Sequence, residues 1–218
     1  MNDTGLTIHE RLFDETRMYE RLERTAEEEH LKETARALSY MKERHDGQFR
    51  KGNRFAKEQV PYINHPLLMA CHAHALGIRD DTLLASILLH DVVEDTGVTA
   101  AELPFSEEVR TLVSLVSFFV PEGMTKEEAK EQYYARIREN PKACVIKLID
   151  RCNNVSTMAG SFTPEKTVEY IHESEHYVLP LSRVLQDMPA YSDLSFILKY
   201  HIISILETIK CMLREQES

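Results

Sequence analysis

The chain has 218 residues, a hydrophobic fraction of 43% and only 7 glycines and 8 prolines. This length suffices for a sizeable core, and the composition favours helices over tight turns and β-meanders. The formal net charge of -10 argues against general binding to nucleic acid or to an anionic membrane, because both need a basic footprint. This net charge does not exclude a small basic pocket for phosphate groups.

The first part of the chain predicts two amphipathic helices and then a basic loop. We expect the helices over residues 7–24 and 26–44. One face of the second would carry Leu31, Ala35, Leu38 and Met41. The loop "HDGQFRKGNRFAKEQV" and the residue before it add basic residues to an otherwise acidic chain, namely Arg44, Arg50, Lys51, Arg54 and Lys57. It is either a solvated loop without a ligand or a clamp for pyrophosphate.

Proline and capping residues mark the later helices. Pro66 predicts the first residue of a helix that ends near Gly77, and Asp80 or Asp81 can cap the next helix. Further helix starts are predicted at Ser106, at a Thr125–Glu128 capping box, at Pro141, at Thr163 with Pro164, and at Ser192. Pro180 should kink or divide its helix. The sequence therefore predicts an all-α fold, as a single domain over residues 1–218.

The cysteines and the apolar runs bear on the cellular compartment. The sequence has 4 cysteines, and none forms a CxxC pair. We interpret them as reduced thiols rather than as a disulfide framework or a zinc site. The first residues are charged throughout, and no apolar run is long enough to cross a membrane. These features predict a cytoplasmic protein.

The stretch "SILLHDVVEDT" begins at Ser86 and combines an apolar helix with four ionisable groups. His90 and Asp91 would project about 100° apart on a helix, so both can converge on one metal ion. Glu94 and Asp95 follow four residues later and would return to the same surface one turn on. The apolar neighbours leave little solvent face, and buried charges need partners or a metal. Taken alone, the motif also fits a helix end whose charges face solvent.

Two other segments supply partners for this motif. "PYINHP" places His65 beside a helix start, and "VIKLIDRCNN" places Asp150 after an apolar run. Together with His90 and Asp91 they would form a site of two histidines and two aspartates. That mixed N/O set suits Mn²⁺, Fe²⁺ or Zn²⁺, with open positions for water and substrate. The joint pattern H…HD…D is more specific than any of its parts.

Four segments of the chain resemble a known family. They are "RKG…PYINHPLLMA", "LLASILLHDVVEDTGVT", "VIKLIDRCNNVSTM" and "ESEHYVLPLSRVL". They resemble the HD-type hydrolase domain of the RelA/SpoT alarmone enzymes, most closely the stand-alone small hydrolases, over about residues 38–185. The resemblance implies an all-α HD-domain bundle without a synthetase domain, with terminal helices packed on it. It also implies Mn²⁺-dependent removal of the 3′-pyrophosphate from ppGpp or pppGpp, giving GDP or GTP.

Carried over residue by residue, the resemblance assigns roles in the site. It implies that the metal ligands are His65, His90, Asp91 and Asp150. Glu94 and Asp95 match an acidic pair that orients or deprotonates the attacking water. Substrate contacts are implied for Arg50, Lys51, Asn154, Thr157 and Tyr177. Tyr62 is either a pocket residue or a core aromatic.

The chain also departs from the family pattern. Asn153 stands where the family usually has His, Ser156 stands where many members have Arg, and residues 53–60 lengthen the basic loop. "FFVPEG" replaces a segment that typically begins with a Thr-Lys pair. These changes affect residues expected to recognise the nucleotide and leave the metal ligands intact.

Two alternative functions therefore stay open. One is a phosphohydrolase that acts on another phosphorylated nucleotide, such as NADPH at its 2′-phosphate or a mononucleotide, and the other is a non-enzymatic nucleotide-binding domain. The expected partner is a small nucleotide, and the oligomeric state is left open.

The segment "HESEH" matches the zinc-peptidase motif HExxH at His172 and His176. A peptidase would need a third ligand and usually a strand near the site, and the sequence offers neither. We interpret the two histidines as an exposed or pocket-edge pair on a helix.

Overall fold

A computed structural model of the chain describes residues 14–50 and 59–216. The helices are α1 (Glu15–Glu28), α2 (Lys32–Arg44), α3 (Asn64–Ala75), α4 (Asp81–Leu89), α5 (Val92–Thr96), α6 (Glu107–Val116), α7 (Lys126–Arg138), α8 (Pro141–Ser161), α9 (Pro164–Glu173), α10 (Ser182–Leu185) and α11 (Ser192–Gln216). Within the described ranges, β-pairing is limited to an isolated bridge between Phe49 and Pro61. The predicted all-α fold is confirmed.

The chain groups into two compact units that divide between Arg136 and Ile137. We call them the N-terminal unit and the C-terminal unit and describe each by itself. The single domain over residues 1–218 stays a prediction.

In the N-terminal unit, α4 is the central helix. Its residues from Leu83 to Leu89 are all buried, and it packs against α2, α3 and α6. A helix that is apolar on every side belongs inside a core rather than on its surface. The helix that leads into the "HD" motif is therefore held on several sides, which fixes the position of the residue that follows it, His90.

The two aspartates before α4 cap different helices. The Asp80 carboxylate accepts a hydrogen bond from the backbone N–H of Leu83 and caps α4, as predicted. The Asp81 carboxylate accepts from the backbone N–H groups of Glu33 and Thr34 at 2.9 and 2.8 Å. It thus satisfies the free N–H groups at the start of α2, a helix whose own N-cap side chain makes no such bond.

The predicted helix over residues 26–44 has the wrong start. α1 continues to Glu28, and α2 begins at Lys32. His30, with φ of 58°, ends α1, and the N–H of Leu31 bonds to the carbonyl of Ala26 at 2.8 Å. This is a Schellman-type helix end, which glycine normally forms, so the residue types at this position did not indicate it. Ala35 is consequently exposed, and Ala37 is buried in its place.

Other helix starts agree with their signals to within a few residues. The capping box of Thr125 and Glu128 and the cap of Ser106 are present. Asn140 precedes Pro141 as the cap of α8, and Thr163 caps α9. α3 begins at Asn64, two residues before Pro66, and Ser192 is the first residue of α11 rather than its cap. The part of the first predicted helix that precedes residue 14 lies outside the described residues.

In the C-terminal unit, α8 packs against α10 and α11. Beyond α9 the chain forms a π-helical turn (Ser174–Val178) and a 3₁₀ turn (Leu179–Leu181), so the helix is divided around Pro180 as predicted. Arg151 is buried on α8 and ion-pairs with Glu173, 2.5 Å away. Its guanidinium carbon lies 3.8 Å from the centre of the Tyr170 ring.

Two whole-chain expectations can be compared with the structure. All four cysteines are free, and three of them are buried. Burial raises the pKa of Cys71 to about 11 and the pKa values of Cys144 and Cys152 to about 12. Over the described part of the chain, no helix has both the length and the apolar character needed to cross a membrane.

Candidate functional site

The structure brings three of the predicted metal ligands together. Nitrogen atoms of His65 and His90 and an oxygen of Asp91 all lie within 4.8 Å of one another. The Oδ2 atom of Asp91 is 2.9 Å from Nε2 of His90 and 3.7 Å from Nε2 of His65. Both imidazoles are only 2% exposed, whereas the Asp91 side chain is 22% exposed. The cluster is therefore buried on its histidine side and open on its carboxylate side.

The "HD" pair does not lie within one continuous helix, and that expectation was wrong. α4 ends at Leu89 and α5 begins at Val92. Asp91 has φ of −98° and ψ of −7°, outside regular helix geometry, and it forms the N-cap of α5. The N–H of Asp95 still bonds to the carbonyl of Asp91 at 2.9 Å. Asp95 therefore lies one turn beyond Asp91, as predicted.

A backbone carbonyl sets the orientation of His90. Its Nδ1 atom is 2.9 Å from the carbonyl oxygen of Ile87. Since a carbonyl can only accept, Nδ1 donates its N–H to Ile87, and Nε2 is the ring nitrogen that faces the cluster. Metal-binding histidines commonly donate their other N–H to a carbonyl in this way. Two imidazole nitrogens and one carboxylate oxygen form a donor set that fits a divalent transition metal.

The acidic pair that follows is exposed, in keeping with contact with water and substrate. Glu94 and Asp95 are both solvent-exposed on α5. The Glu94 carboxylate accepts a hydrogen bond from the backbone N–H of Phe118 at 2.8 Å. Phe118 belongs to the "FFVPEG" segment, and its ring packs edge-on against Tyr133 with centroids 5.3 Å apart. The segment that departs from the family pattern therefore holds one of the predicted catalytic carboxylates.

Tyr62 reaches the cluster from the other side. Its hydroxyl donates a hydrogen bond to Oδ2 of Asp91 and also interacts with Asp95. Burial, and then the charges of Asp91 and Asp95, raise the pKa of the Tyr62 hydroxyl far above its usual range. The group thus remains a donor at neutral pH. The sequence left open whether Tyr62 is a core aromatic or a pocket residue, and the structure shows features of both.

A short backbone clamp closes the basic loop at its base. The N–H of Arg50 bonds to the carbonyl of Val60 at 2.8 Å, and the N–H of Tyr62 bonds to the carbonyl of Gln48 at 2.9 Å. These bonds fix the backbone of Arg50 relative to the residues that lead into α3. Lys51 and the inserted residues up to 58 lie outside the described residues.

In the C-terminal unit, the predicted site residues follow one face of α8. Asp150 is buried; it ion-pairs with Lys147 at 2.9 Å and accepts from the side-chain amide of Asn154 at 2.5 Å. The Thr157 hydroxyl donates to the carbonyl of Asn154 at 3.3 Å. The sequence reasoning missed Lys147, although its spacing of three residues from Asp150 places the two on one helical face.

Three other residues of this unit that the sequence singled out lie on α8 or in the π-helical turn. Tyr177 is buried in the turn, with its ring centroid 4.6 Å from that of His176. Asn153 is buried, and the Ser156 hydroxyl donates to the carbonyl of Cys152.

The two histidines of the HExxH segment contact each other, and its glutamate has another partner. The rings of His172 and His176 stack with centroids 5.7 Å apart. Glu173 of the same segment pairs with Arg151. Among the described residues, the cluster of metal-type side chains is that of His65, His90 and Asp91, and it does not include this segment. Both histidines are exposed, which agrees with their interpretation as an exposed or pocket-edge pair on a helix.

Comparison with known families decides the class of this fold. A family model described as "HD domain" matches residues 37–181. The chain belongs to the HD domain family. The match covers nearly the same residues as the resemblance seen in the sequence, and it includes His65, His90, Asp91 and Asp150.

Individual relatives show which HD-domain proteins this chain is similar to. The chain is 35% identical over 162 residues to guanosine-3′,5′-bis(diphosphate) 3′-pyrophosphohydrolase of Aquifex aeolicus. The alignment covers 72% of this chain and 22% of the relative. It is 36% identical over 133 residues to guanosine-3′,5′-bis(diphosphate) 3′-pyrophosphohydrolase MESH1 of Xenopus tropicalis. This alignment covers 59% of this chain and 70% of that protein. The chain thus spans only 22% of the length of the Aquifex aeolicus relative. The resemblance to the RelA/SpoT group is confirmed.

A solved structure shows the same fold. It is a metazoan ortholog of SpoT that hydrolyzes ppGpp and plays a role in starvation responses. It superposes on this HD domain with a TM-score of 0.64 and 23% identity, covering 81% of this chain and 94% of that chain.

Proposed function

We propose that this protein is a metal-dependent phosphohydrolase that removes the 3′-pyrophosphate of ppGpp or pppGpp and releases GDP or GTP. The observation that carries the proposal is the convergence of His65, His90 and Asp91 within 4.8 Å, inside an HD domain. Relatives that bear the name of this activity support the choice of substrate. We expect the protein to act in the cytoplasm, in the stringent response.

The proposal assigns a ligand role to each member of the H…HD…D pattern. His65, His90 and Asp91 would hold the metal ion, and the sequence pattern adds Asp150 as a further ligand. Mn²⁺ is the proposed ion. When bound, such an ion lowers the pKa of a coordinated water and polarises a phosphoryl oxygen.

The reaction is a hydrolysis in which atoms and charges balance. The oxygen of water forms a bond to the phosphorus attached to the ribose 3′-oxygen, and the bond from that phosphorus to the ribose oxygen breaks. The ribose oxygen takes up a proton and becomes a hydroxyl, while pyrophosphate leaves. Glu94 and Asp95 are the proposed groups that orient the water and accept its proton. The hydrogen bond from Phe118 fixes Glu94 for this role.

Substrate recognition is proposed for the residues that match the family. Arg50 and Lys51 would bind the phosphates, because basic side chains make strong, charge-assisted hydrogen bonds with them. Asn154 and Thr157 would contact the sugar and phosphate, and Tyr177 would lie near the base.

One observation favours a second candidate substrate class. The family typically has a Thr-Lys pair after α6, whereas this chain has Phe118 and Phe119, and Phe119 is 59% exposed. A cation is thus replaced by an apolar ring beside the residue that holds Glu94. The same chemistry could therefore act on another phosphorylated nucleotide, such as NADPH at its 2′-phosphate or a mononucleotide.

A substrate panel separates these candidates. Purified protein loaded with Mn²⁺ would be incubated with ppGpp, pppGpp, NADPH and GMP, and pyrophosphate would be measured separately from orthophosphate. The proposal predicts release of pyrophosphate from ppGpp or pppGpp, lost in Asp150→Ala and kept in His72→Ala, whose histidine lies on the same helix as His65. Cleavage of NADPH or GMP with ppGpp left intact would support the second candidate and overturn the first. Metal binding without any turnover would favour a nucleotide-binding domain.

A further inference from the structure

Tyr62 connects three parts of the N-terminal unit at the metal-type cluster. Its ring stacks on that of His45, with centroids 4.6 Å apart and an angle of 28° between the planes. Its backbone N–H bonds to the carbonyl of Gln48, and its carbonyl accepts from the N–H of His65 at 3.1 Å. Its hydroxyl donates to Asp91. Tyr62 is therefore held by contacts of its ring, its backbone and its hydroxyl.

The partner of the Tyr62 ring is itself held firmly. His45 is 2% exposed, and its Nδ1 atom lies 2.7 Å from Oε1 of Gln48. The amide nitrogen of Gln48 in turn lies 3.4 Å from the backbone carbonyl oxygen of Asp95. His45 and Gln48 thus form a support that reaches α5 as well as Tyr62, and the ring has little freedom to turn.

Among the three clustered ligands, Asp91 has the most exposed side chain. The imidazoles of His65 and His90 are buried at 2% exposure, so packing restrains both rings, and a carbonyl also holds His90. The Asp91 side chain is 22% exposed, and water can compete for its oxygens. A ligand carboxylate of this kind needs a hydrogen bond to hold one orientation. The Tyr62 hydroxyl supplies that bond.

We propose that Tyr62 is a positioning residue that orients the Asp91 carboxylate for a divalent cation and keeps Asp95 in a fixed relation to it. His45 is the support on which its ring rests. The inference rests on the proposed function only in taking Asp91 as a metal ligand and Asp95 as a catalytic carboxylate. It adds a residue to the site without adding a ligand, because the hydroxyl acts through the carboxylates.

Tyr62→Phe tests the proposal, because it keeps the ring on His45 and removes only the hydroxyl. The first measurement is the Kd for Mn²⁺ of the metal-free full chain, by titration calorimetry without nucleotide. Loss of such a supporting hydrogen bond typically weakens metal affinity about 10- to 100-fold, and we expect a change in that range. The matched control is Tyr40→Phe, whose ring packs edge-on against Phe105 at 5.5 Å, and it should bind Mn²⁺ as wild type does.

The second measurement concerns Asp95. At saturating Mn²⁺, we expect Tyr62→Phe to lower kcat while KM for the nucleotide stays unchanged, because the lost bond aligns a catalytic group rather than the substrate. Melting temperatures of both variants show whether the fold is kept.

The outcomes are distinct. Wild-type Mn²⁺ affinity in a folded Tyr62→Phe protein would overturn the role at Asp91, and an unchanged kcat at saturating metal would overturn the role at Asp95. If wild type binds Mn²⁺ but cleaves no ppGpp, the proposed function fails, whereas the Kd comparison still decides the role at Asp91.

Discussion

The Glu94 carboxylate accepts a hydrogen bond from the backbone N–H of Phe118, with 2.8 Å between oxygen and nitrogen. The two residues lie on α5 and on the segment after α6, so this bond ties the acidic pair to a part of the chain that departs from the family pattern. Because the donor is a backbone group, substitution of the Phe118 side chain would not remove it.

Glu94→Gln should therefore remove activity while leaving the fold intact. The amide oxygen of glutamine can still accept from Phe118, but it cannot accept a proton from water. Loss of a general base typically costs about 10²- to 10⁴-fold in rate, and we expect kcat to fall in that range with an unchanged melting temperature. Glu122→Gln, an exposed carboxylate in the following loop, is the control and should retain activity. Near-normal turnover in Glu94→Gln would exclude Glu94 as the base.

Asp81 should contribute to stability through a helix to which it does not belong. Asp81→Ala removes the acceptor for two backbone N–H groups at the start of α2 and for the Thr34 hydroxyl. Loss of a capping side chain costs about 1–2 kcal/mol of unfolding free energy, and we expect this loss in denaturant titrations. Asp46→Ala, at an exposed position after α2, should change the stability far less. Equal effects of the two variants would mean that the cap is not stabilising.

The buried Arg151–Glu173 pair should be costly to break from one side. Glu173→Ala leaves the guanidinium, 3% exposed, without its carboxylate. Removing one partner of a buried pair costs about 3–5 kcal/mol, and we expect a value near the low end because Glu173 is 21% exposed. The double variant Arg151→Met with Glu173→Leu should recover part of the loss in urea titrations. No recovery would mean that the destabilisation comes from lost packing rather than from the unpaired charge.

The thiols should differ sharply in reactivity. Burial raises the pKa values of Cys71, Cys144 and Cys152 to about 11, 12 and 12, whereas Cys211 is exposed. Because the thiolate is the reactive form, the folded protein at about pH 8 should release the chromophore of Ellman's reagent rapidly from a single cysteine. Cys211→Ser should abolish this fast phase, and denaturant should expose the other three. A fast phase that persists in Cys211→Ser would contradict the burial of these thiols.

Much of the fold followed from local signals, and the departures come from one unusual backbone conformation and one long-range contact. Asp80, Ser106 and Thr163 cap helices as their positions predicted, because a cap depends on a few neighbouring residues. The helix end at His30 and the long-range cap by Asp81 were missed. The first uses a residue that rarely adopts a positive φ, and the second depends on a contact across 47 residues or more.

In the site, too, residue types and spacing predicted part of the arrangement, and the rest depends on tertiary contacts. The convergence of His65, His90 and Asp91 was predicted from residue types and spacing, and the structure brings these three together. The break between α4 and α5 was not predicted, because the apolar pattern continues through Val92 and Val93. The bonds of Tyr62 to Asp91 and of Phe118 to Glu94 were not predicted, because they depend on tertiary packing.

The most direct test of the proposed function is phosphorus NMR of ppGpp during incubation with the protein and Mn²⁺. The account predicts that GDP and pyrophosphate appear in equal amounts as ppGpp disappears, that a chelator stops the reaction, and that His90→Ala is inactive while His72→Ala is active. Persistence of ppGpp with the metal-loaded wild-type protein, or orthophosphate as the first product, would contradict it.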